Sequence, residues 1–337
     1  MKKTKKLLAC LIAAATMFTM GSTAFAAEAD ETPVVDQETV TIHKQYKLIG
    51  KGTSPEETFT LEQVGNGTVT DGEAGNAPHL GTITGAHFTK GEATDNGAIE
   101  DIKVALPEYT HVGVYEYTLH EVAGNNAGVT YYGNNIKLVV TVIQGDNAKL
   151  RIAAVHTEAE NGTKSDTFEN TYSANSLPVK KVVTGNLGDK DKFFDVTVTL
   201  TNNTGKTMAS DISYNAGGVE NIIKPSDWKD NKVTKTIQLK DEQTIAFTNL
   251  PFGVEYVVTE ANYTGDNGGY DDPKYEYKNN DKKISVADQS VTITNNKNSN
   301  NIDTGINLTT LPYILVFAGV IIIAGAAFIA RRRRYED

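Results

Sequence analysis

Hydrophobic and polar side chains alternate at every second position in four stretches of this chain, residues 40–48, 136–143, 194–200 and 291–295. A period of two predicts strands with one buried face and one solvated face. Between residues 27 and 304 no stretch sustains the 3.6-residue period of an amphipathic helix. Turn-forming clusters punctuate the alternation, among them Gly65-Asn66-Gly67, Gly124-Asn125-Asn126 and the Gly/Asn/Asp run 265–269. Many short strands joined by such turns predict an all-β sandwich architecture. Residues 65–100 are Gly-rich and weakly patterned, which reads as a long surface excursion. A short polar stretch, residues 173–178, ends in Pro and divides the strands into two portions.

The portions read as divergent repeats. Each opens on a strand that holds a lysine among apolar residues, Lys44 in the first and Lys181 in the second. Each later has a Gly-Val strand that ends in Glu: Gly113-Val114-Tyr115 running to Glu121, and Gly253-Val254 running to Glu260. Each closes on a strand ending in Asn, Phe168-Glu169-Asn170 and Val291-Thr292-Ile293-Thr294-Asn295. The Lys-to-Glu separations are 77 and 79 residues. Strand parity then assigns faces. Lys44 shares its face with Val40, Ile42, Tyr46 and Leu48; Glu121 with Tyr115, Tyr117 and Leu119; Asn170 with Phe168. Lys181 aligns with Leu177, Val179 and Val183, Glu260 with Val254, Tyr256 and Val258, and Asn295 with Val291 and Ile293.

All six polar residues therefore fall on apolar faces, where an unpaired charge is costly. Two readings follow. One is a buried Lys–Glu ion pair in each portion with Asn as a hydrogen-bonding neighbour, although such pairs often stabilise no better than apolar packing. The other is covalent. Desolvation turns a lysine into a neutral, nucleophilic amine and keeps a carboxyl protonated. The acid can then polarise the Asn carbonyl and shuttle protons as ammonia leaves, giving a neutral Lys–Asn amide.

Composition adds the compartment. The 337 residues carry 32 basic and 42 acidic side chains, a formal net charge of −10. Four lysines (2, 3, 5 and 6) and four arginines (331–334) crowd the two ends, leaving 24 basic against 40 acidic residues between 27 and 304. An acidic body argues against nucleic acid as a partner. Lys2 to Lys6, an apolar run and Ala24-Phe25-Ala26 predict a signal peptide over 1–26. The lone Cys10 lies within it, so the mature chain would contain no disulfide. Residues 311–330 are uncharged and, at ~1.5 Å per residue, long enough to cross a ~30 Å hydrocarbon core. The arginines that follow read as a cytoplasmic tail, 331–337. The chain has no Gly-x-Ser-x-Gly or His-Glu-x-x-His motif, its six histidines lack metal spacing, and no cofactor is expected. Asp71-Gly72-Glu73 and the 266–272 loop do not follow the EF-hand calcium pattern.

Asn301-Ile302-Asp303-Thr304-Gly305, followed by the apolar span and basic stop, resembles the sorting signal that sortases cut between Thr and Gly, although the usual Leu-Pro opening is replaced by Asn301 and Ile302. The Lys44, Glu121 and Asn170 segments resemble the N-terminal domain of streptococcal-type shaft pilins of Gram-positive bacteria. Lys180-Lys181-Val182-Val183-Thr184-Gly185, Asn249-Leu250-Pro251-Phe252-Gly253-Val254 through Glu260, and Thr292 to Asn295 resemble its C-terminal domain. The resemblance implies two tandem Ig-like domains of the collagen-adhesin B type, 27–174 and 175–298, then a linker carrying the sortase motif, 299–310. It implies self-formed Lys44–Asn170 and Lys181–Asn295 isopeptide bonds, with Glu121 and Glu260 as their catalytic acids. It implies a non-enzymatic subunit joined by a pilin-type sortase from Thr304 to a lysine of the next copy. Lys164 in Gly162-Thr163-Lys164 lies where that acceptor is expected. Minor pilins and peptidoglycan would be further partners, and the cell surface the destination. A wall-anchored monomeric adhesin or stalk built from the same modules is the alternative.

Overall fold

The computed structural model describes residues 37–299 apart from Ala74, Asn76, Asp146 and Asn147. The signal segment 1–26, Thr304, Gly305, the apolar span 311–330 and the tail 331–337 lie outside the described residues. Among the described residues the fold is all-β, with helix limited to short 3-10 turns such as Pro225–Asp227 and Gly265–Asn267. None of the described helices is long and apolar enough to cross a membrane.

Eleven strands position the features of interest. In the first portion these are β1 (Thr39–Gly50), β2 (Ala98–Ala105), β3 (Gly113–Glu121), β4 (Ile136–Gln144) and β5 (Leu150–Ala159). The long β6 (Thr167–Thr184) follows. The second portion supplies β7 (Phe194–Asn202), β8 (Lys232–Leu239), β9 (Thr244–Pro251), β10 (Val254–Glu260) and β11 (Val291–Asn296). In the first portion β2, β1 and β6 lie side by side, and β5, β4 and β3 form a second sheet. Their inner faces meet in a core that includes Val40, Ile42, Tyr46, Tyr117, Leu138 and Val140. In the second portion β9, β6 and β11 pair, while β8, β7 and β10 form a three-stranded sheet. A separate cluster fills that space, with Leu177, Val179, Val198, Phe247, Tyr256 and Ile293 among its members.

β6 belongs to both portions. Over its first half it runs parallel to β1, and over its second half it runs parallel to β11 and antiparallel to β9. The polar stretch 173–178, where the two portions divide, is therefore the middle of an 18-residue strand. Its central asparagine is hydrogen-bonded on both sides of the carboxamide. Asn175 donates to the Ser285 carbonyl at 3.1 Å and accepts from Ser176 N–H at 2.9 Å, beside a shift in register against β9. Composition suggested a break because polarity marks solvent in a lone strand, whereas here the exchange of neighbours occurs without one.

Residues 65–100 also depart from the sequence reading. The region between β1 and β2 holds strands of two to five residues, too short to display a period. It contributes Phe59, Ala77, Ala86 and Phe88 to the core, so only part of it is surface excursion.

The two portions meet along a hydrogen-bonded seam. Asn249, at φ 62°, accepts from Thr53 N–H at 2.9 Å and Tyr172 O–H at 3.0 Å, and donates to the Asp211 carbonyl at 2.8 Å. Lys206 Nζ donates to the Val129 carbonyl at 2.5 Å, and Lys90 pairs with Asp211 at 2.7 Å.

Candidate functional site

In the first portion the parallel register of β1 and β6 sets Tyr46 opposite Asn170 and Lys44 opposite Phe168. Lys44 and Asn170 thus point to the same face one pleat repeat apart, within reach of a lysine side chain. Glu121 ends β3 in the facing sheet, opposite Leu61. Lys44 Nζ donates to Glu121 Oε2, and Asn170 Nδ2 donates to Glu121 Oε1 at 2.5 Å. The carboxyl group therefore bridges amine and carboxamide. Each of the three residues is about 1% exposed. Lys44 Nζ also lies 5.6 Å from the Phe59 ring centre and 5.5 Å from that of Tyr132, an aromatic surround that excludes water.

The second portion repeats the arrangement in the same register. Val183 of β6 is opposite Asn295 of β11, and Lys181 is opposite Ile293. Again the lysine stands two residues before the partner of the asparagine. Glu260 ends β10 in the facing sheet. Lys181 Nζ donates to Asn295 Oδ1 at 2.6 Å and pairs with Glu260 Oε1 at 3.0 Å, while Asn295 Nδ2 donates to Glu260 Oε2 at 2.6 Å. The Lys181 and Glu260 side chains are 0% exposed, and the Phe194 ring centre lies 4.3 Å from Nζ.

Burial pushes the pKa of both lysines down from the ordinary value, with the adjacent glutamate opposing the shift in each case. Burial thus favours the neutral amine, and in each triad the carboxamide NH2 is held by a carboxyl group that also contacts the amine. That is the chemistry of amide exchange, with the carboxyl placed to carry protons.

Lys164, by contrast, is exposed and away from both triads. It follows a tight turn in which Ala159 N–H donates to the Thr163 carbonyl at 2.8 Å, and it bridges to Glu158 at the end of β5. Thr304 and Gly305 lie outside the described residues. Three aromatic neighbours of the lysines, Phe59, Tyr132 and Phe194, were not singled out by sequence, since Phe59 comes from a strand of three residues. Nor was Tyr275, whose hydroxyl accepts the Glu260 backbone N–H at 2.9 Å. A hydrophobic period marks buried faces but cannot say which ring meets which side chain.

Comparison with known proteins bears on both portions. Residues 40–173 match the family described as Spy0128-like isopeptide containing domain. Residues 175–297 match a domain of unknown function, DUF7601. The two matches meet at residue 174, in the middle of β6. A curated relative, a pilin from Streptococcus pyogenes serotype M1, is 26% identical over 333 residues, covering 89% of this chain and 92% of the relative. The crystal structure of the major pilin from Streptococcus pyogenes superposes with a TM-score of 0.52 at 25% identity, covering 79% of this chain and 100% of that one. A Glu-to-Ala variant of that pilin matches at 24% identity and a TM-score of 0.50, covering 78% of this chain and 99% of the other.

Proposed function

We propose that this chain, a relative of the streptococcal shaft pilins, is the structural subunit of a covalent surface pilus. The observation that carries the reading is the pair of buried Lys–Glu–Asn constellations, set in one register in two stacked portions. Each portion is read as an Ig-like domain, 27–174 and 175–298, with the division inside β6.

In each domain the lysine Nζ attacks the Asn Cγ. The C–N bond to Nζ forms, the bond to Nδ2 breaks, and Nδ2 leaves as ammonia with protons relayed by the glutamate. Glu121 serves Lys44 and Asn170, and Glu260 serves Lys181 and Asn295. The resulting amides are neutral and remove the cost of burying a charge. No oxidant, metal or cofactor enters the balance. The protein is not an enzyme in the sense of turning over a substrate.

Assembly then uses the ends of the chain. A pilin-type sortase takes the acyl group of Thr304, releasing Gly305 and the apolar tail, and passes it to a lysine of the next copy. Lys164 is the favoured acceptor because it is exposed on a defined turn. Tension entering at Lys164 follows β6 directly from the first domain into the second, since the strand is unbroken.

The test is the surface polymer. Cells expressing the chain with a pilin-type sortase are expected to show an SDS-resistant ladder, lost on Thr304→Ala and on Lys164→Ala. A single wall-linked band in the wild type instead supports the monomeric stalk.

A further inference from the structure

The turn between β8 and β9 grips the lysine of the second triad. Lys181 N–H donates to the Gln243 carbonyl at 2.9 Å, and Glu242 N–H donates to the Lys181 carbonyl at 2.9 Å. Both backbone groups of this one residue are thus held by residues 240–243. The turn is itself closed by Gln243 N–H donating to the Lys240 carbonyl at 3.0 Å, with Glu242 at φ 62°. At its apex Asp241 Oδ1 accepts the Val183 N–H at 2.7 Å, two residues along β6 from Lys181 and opposite Asn295.

Asp241 is a carboxylate in a confined place. Its side chain is 9% exposed, and Oδ2 pairs with Lys190 at 3.2 Å. The Val183 N–H, first, and then Lys190 hold it below the usual carboxylate range, so it stays charged. Its charge favours the protonated form of Lys181, adding to that of Glu260. The Phe194 ring centre lies 4.3 Å from Lys181 Nζ and 5.9 Å from Lys192 Nζ, and the Tyr275 hydroxyl is bonded to the Glu260 backbone. At the first triad the charge acting on Lys44 is that of Glu121.

We propose that Asp241 is a positioning residue of the second crosslinking reaction, fixing β6 against the β8–β9 turn while its charge restrains Lys181, so that the pH profile of the second bond depends on Asp241 and that of the first does not. The proposal rests on the crosslinking described above. A hydrogen bond to Val183 fixes the strand position from which Lys181 reaches Asn295. The negative charge acts in the opposite sense, because attack requires the neutral amine. Lys190 offsets part of that charge, so the electrostatic effect is modest.

Two substitutions separate the effects. Asp241→Asn keeps an oxygen for the Val183 N–H and removes the charge; Asp241→Ala removes both. The chain of residues 27–304, recovered unfolded before either amide has formed, is refolded between about pH 5.5 and pH 9. Loss of ammonia at each triad is followed by mass spectrometry of the peptides, with the Lys44–Asn170 bond as internal control. Asp241→Asn is expected to accelerate Lys181–Asn295 formation by about threefold at the acidic end, shifting its profile down by about half a pH unit. Asp241→Ala is expected to slow that bond across the whole range, and both variants to leave the Lys44–Asn170 rate unchanged. If Asp241→Ala fails to fold, the Asp241→Asn profile still decides. An unshifted profile in Asp241→Asn overturns the proposal, as does an equal change at both triads. A wild-type chain that keeps its ammonia at both sites instead refutes the crosslinking itself.

Discussion

The two triads share a register but differ in their contacts. In the first, the glutamate stands between the lysine and the asparagine, and Asn170 Oδ1 is buried without a hydrogen-bond partner. In the second, Lys181 Nζ is already on Asn295 Oδ1, and Glu260 Oε1 has its ion pair but no hydrogen bond. The difference teaches that the shared strand geometry brings the three groups together, whereas local packing decides which of them the lysine amine meets. It also separates two consequences of a crosslink. Thermodynamically the proposed bonds are expected to be near equals, because they would close loops of similar length. Mechanically they are expected to differ, because β6 would carry the load between them.

Force gives the largest contrast. Pulled between Lys164 and the C-terminal end, the chain bears load along β6 to Lys181 and crosses to Asn295, leaving residues 182–294 outside the path. Lys181→Ala is expected to release that segment in a single-molecule trace, adding about 380 Å at ~3.4 Å per residue. Lys44→Ala is expected to add no such length. Equal lengthening in the two variants would break the mechanical distinction.

Equilibrium stability is expected to show the opposite result. Removing either crosslink restores the entropy of an unfolded loop of more than a hundred residues, roughly 4–5 kcal/mol by the model used for disulfides. Chemical denaturation of Lys44→Ala and Lys181→Ala should therefore give losses that agree within about 1 kcal/mol, once the smaller cavity effects of truncating a lysine are allowed for. A large inequality would mean that one of the two bonds does not form.

A smaller effect is expected at the seam. Asn249→Ala removes the partners of three polar groups and places a Cβ residue without a polar side chain at positive φ, at a cost of about 2–4 kcal/mol. Both crosslinks are expected to persist in that variant, with the loss read from the denaturation midpoint.

The last contrast is in pH. In Asn170→Ala and Asn295→Ala the lysines remain as amines whose folded pKa values burial holds below the ordinary 10.5. Between the lowered folded value and 10.5 the unfolded chain binds more protons than the folded one, so stability rises with pH across that window. It levels off above the unfolded value, where both states are neutral. The gain is expected to be smaller for Asn295→Ala, because Asp241 also favours the charged Lys181. Denaturation midpoints measured from neutral pH up to about 10 check both the sign and the order.

Much of this was legible in the sequence because strand parity survives folding. Lys44, Glu121, Asn170, Lys181 and Asn295 are all at most 1% exposed, and the Glu260 side chain is fully covered. Period two carried that information through strands of six to eighteen residues. It failed where strands shrink to three residues, as at Phe59, whose packing depends on partners far along the chain. At 173–178 local polarity marked the division between the portions but not the single strand that runs through it. Asp241 carried no signal at all: its hydrogen bond to Val183 comes from a turn that folds back over a separation of 58 residues.

The most direct measurement is the intact mass of the chain from residue 27 to 304, with fragments mapped to the two triads. Two amides remove two ammonia molecules, so the mass is expected to fall about 34 Da below that calculated from the sequence, with Lys44 joined to Asn170 and Lys181 to Asn295. A full mass, with all four residues in unmodified peptides, would contradict the covalent reading and leave each triad a buried ion pair.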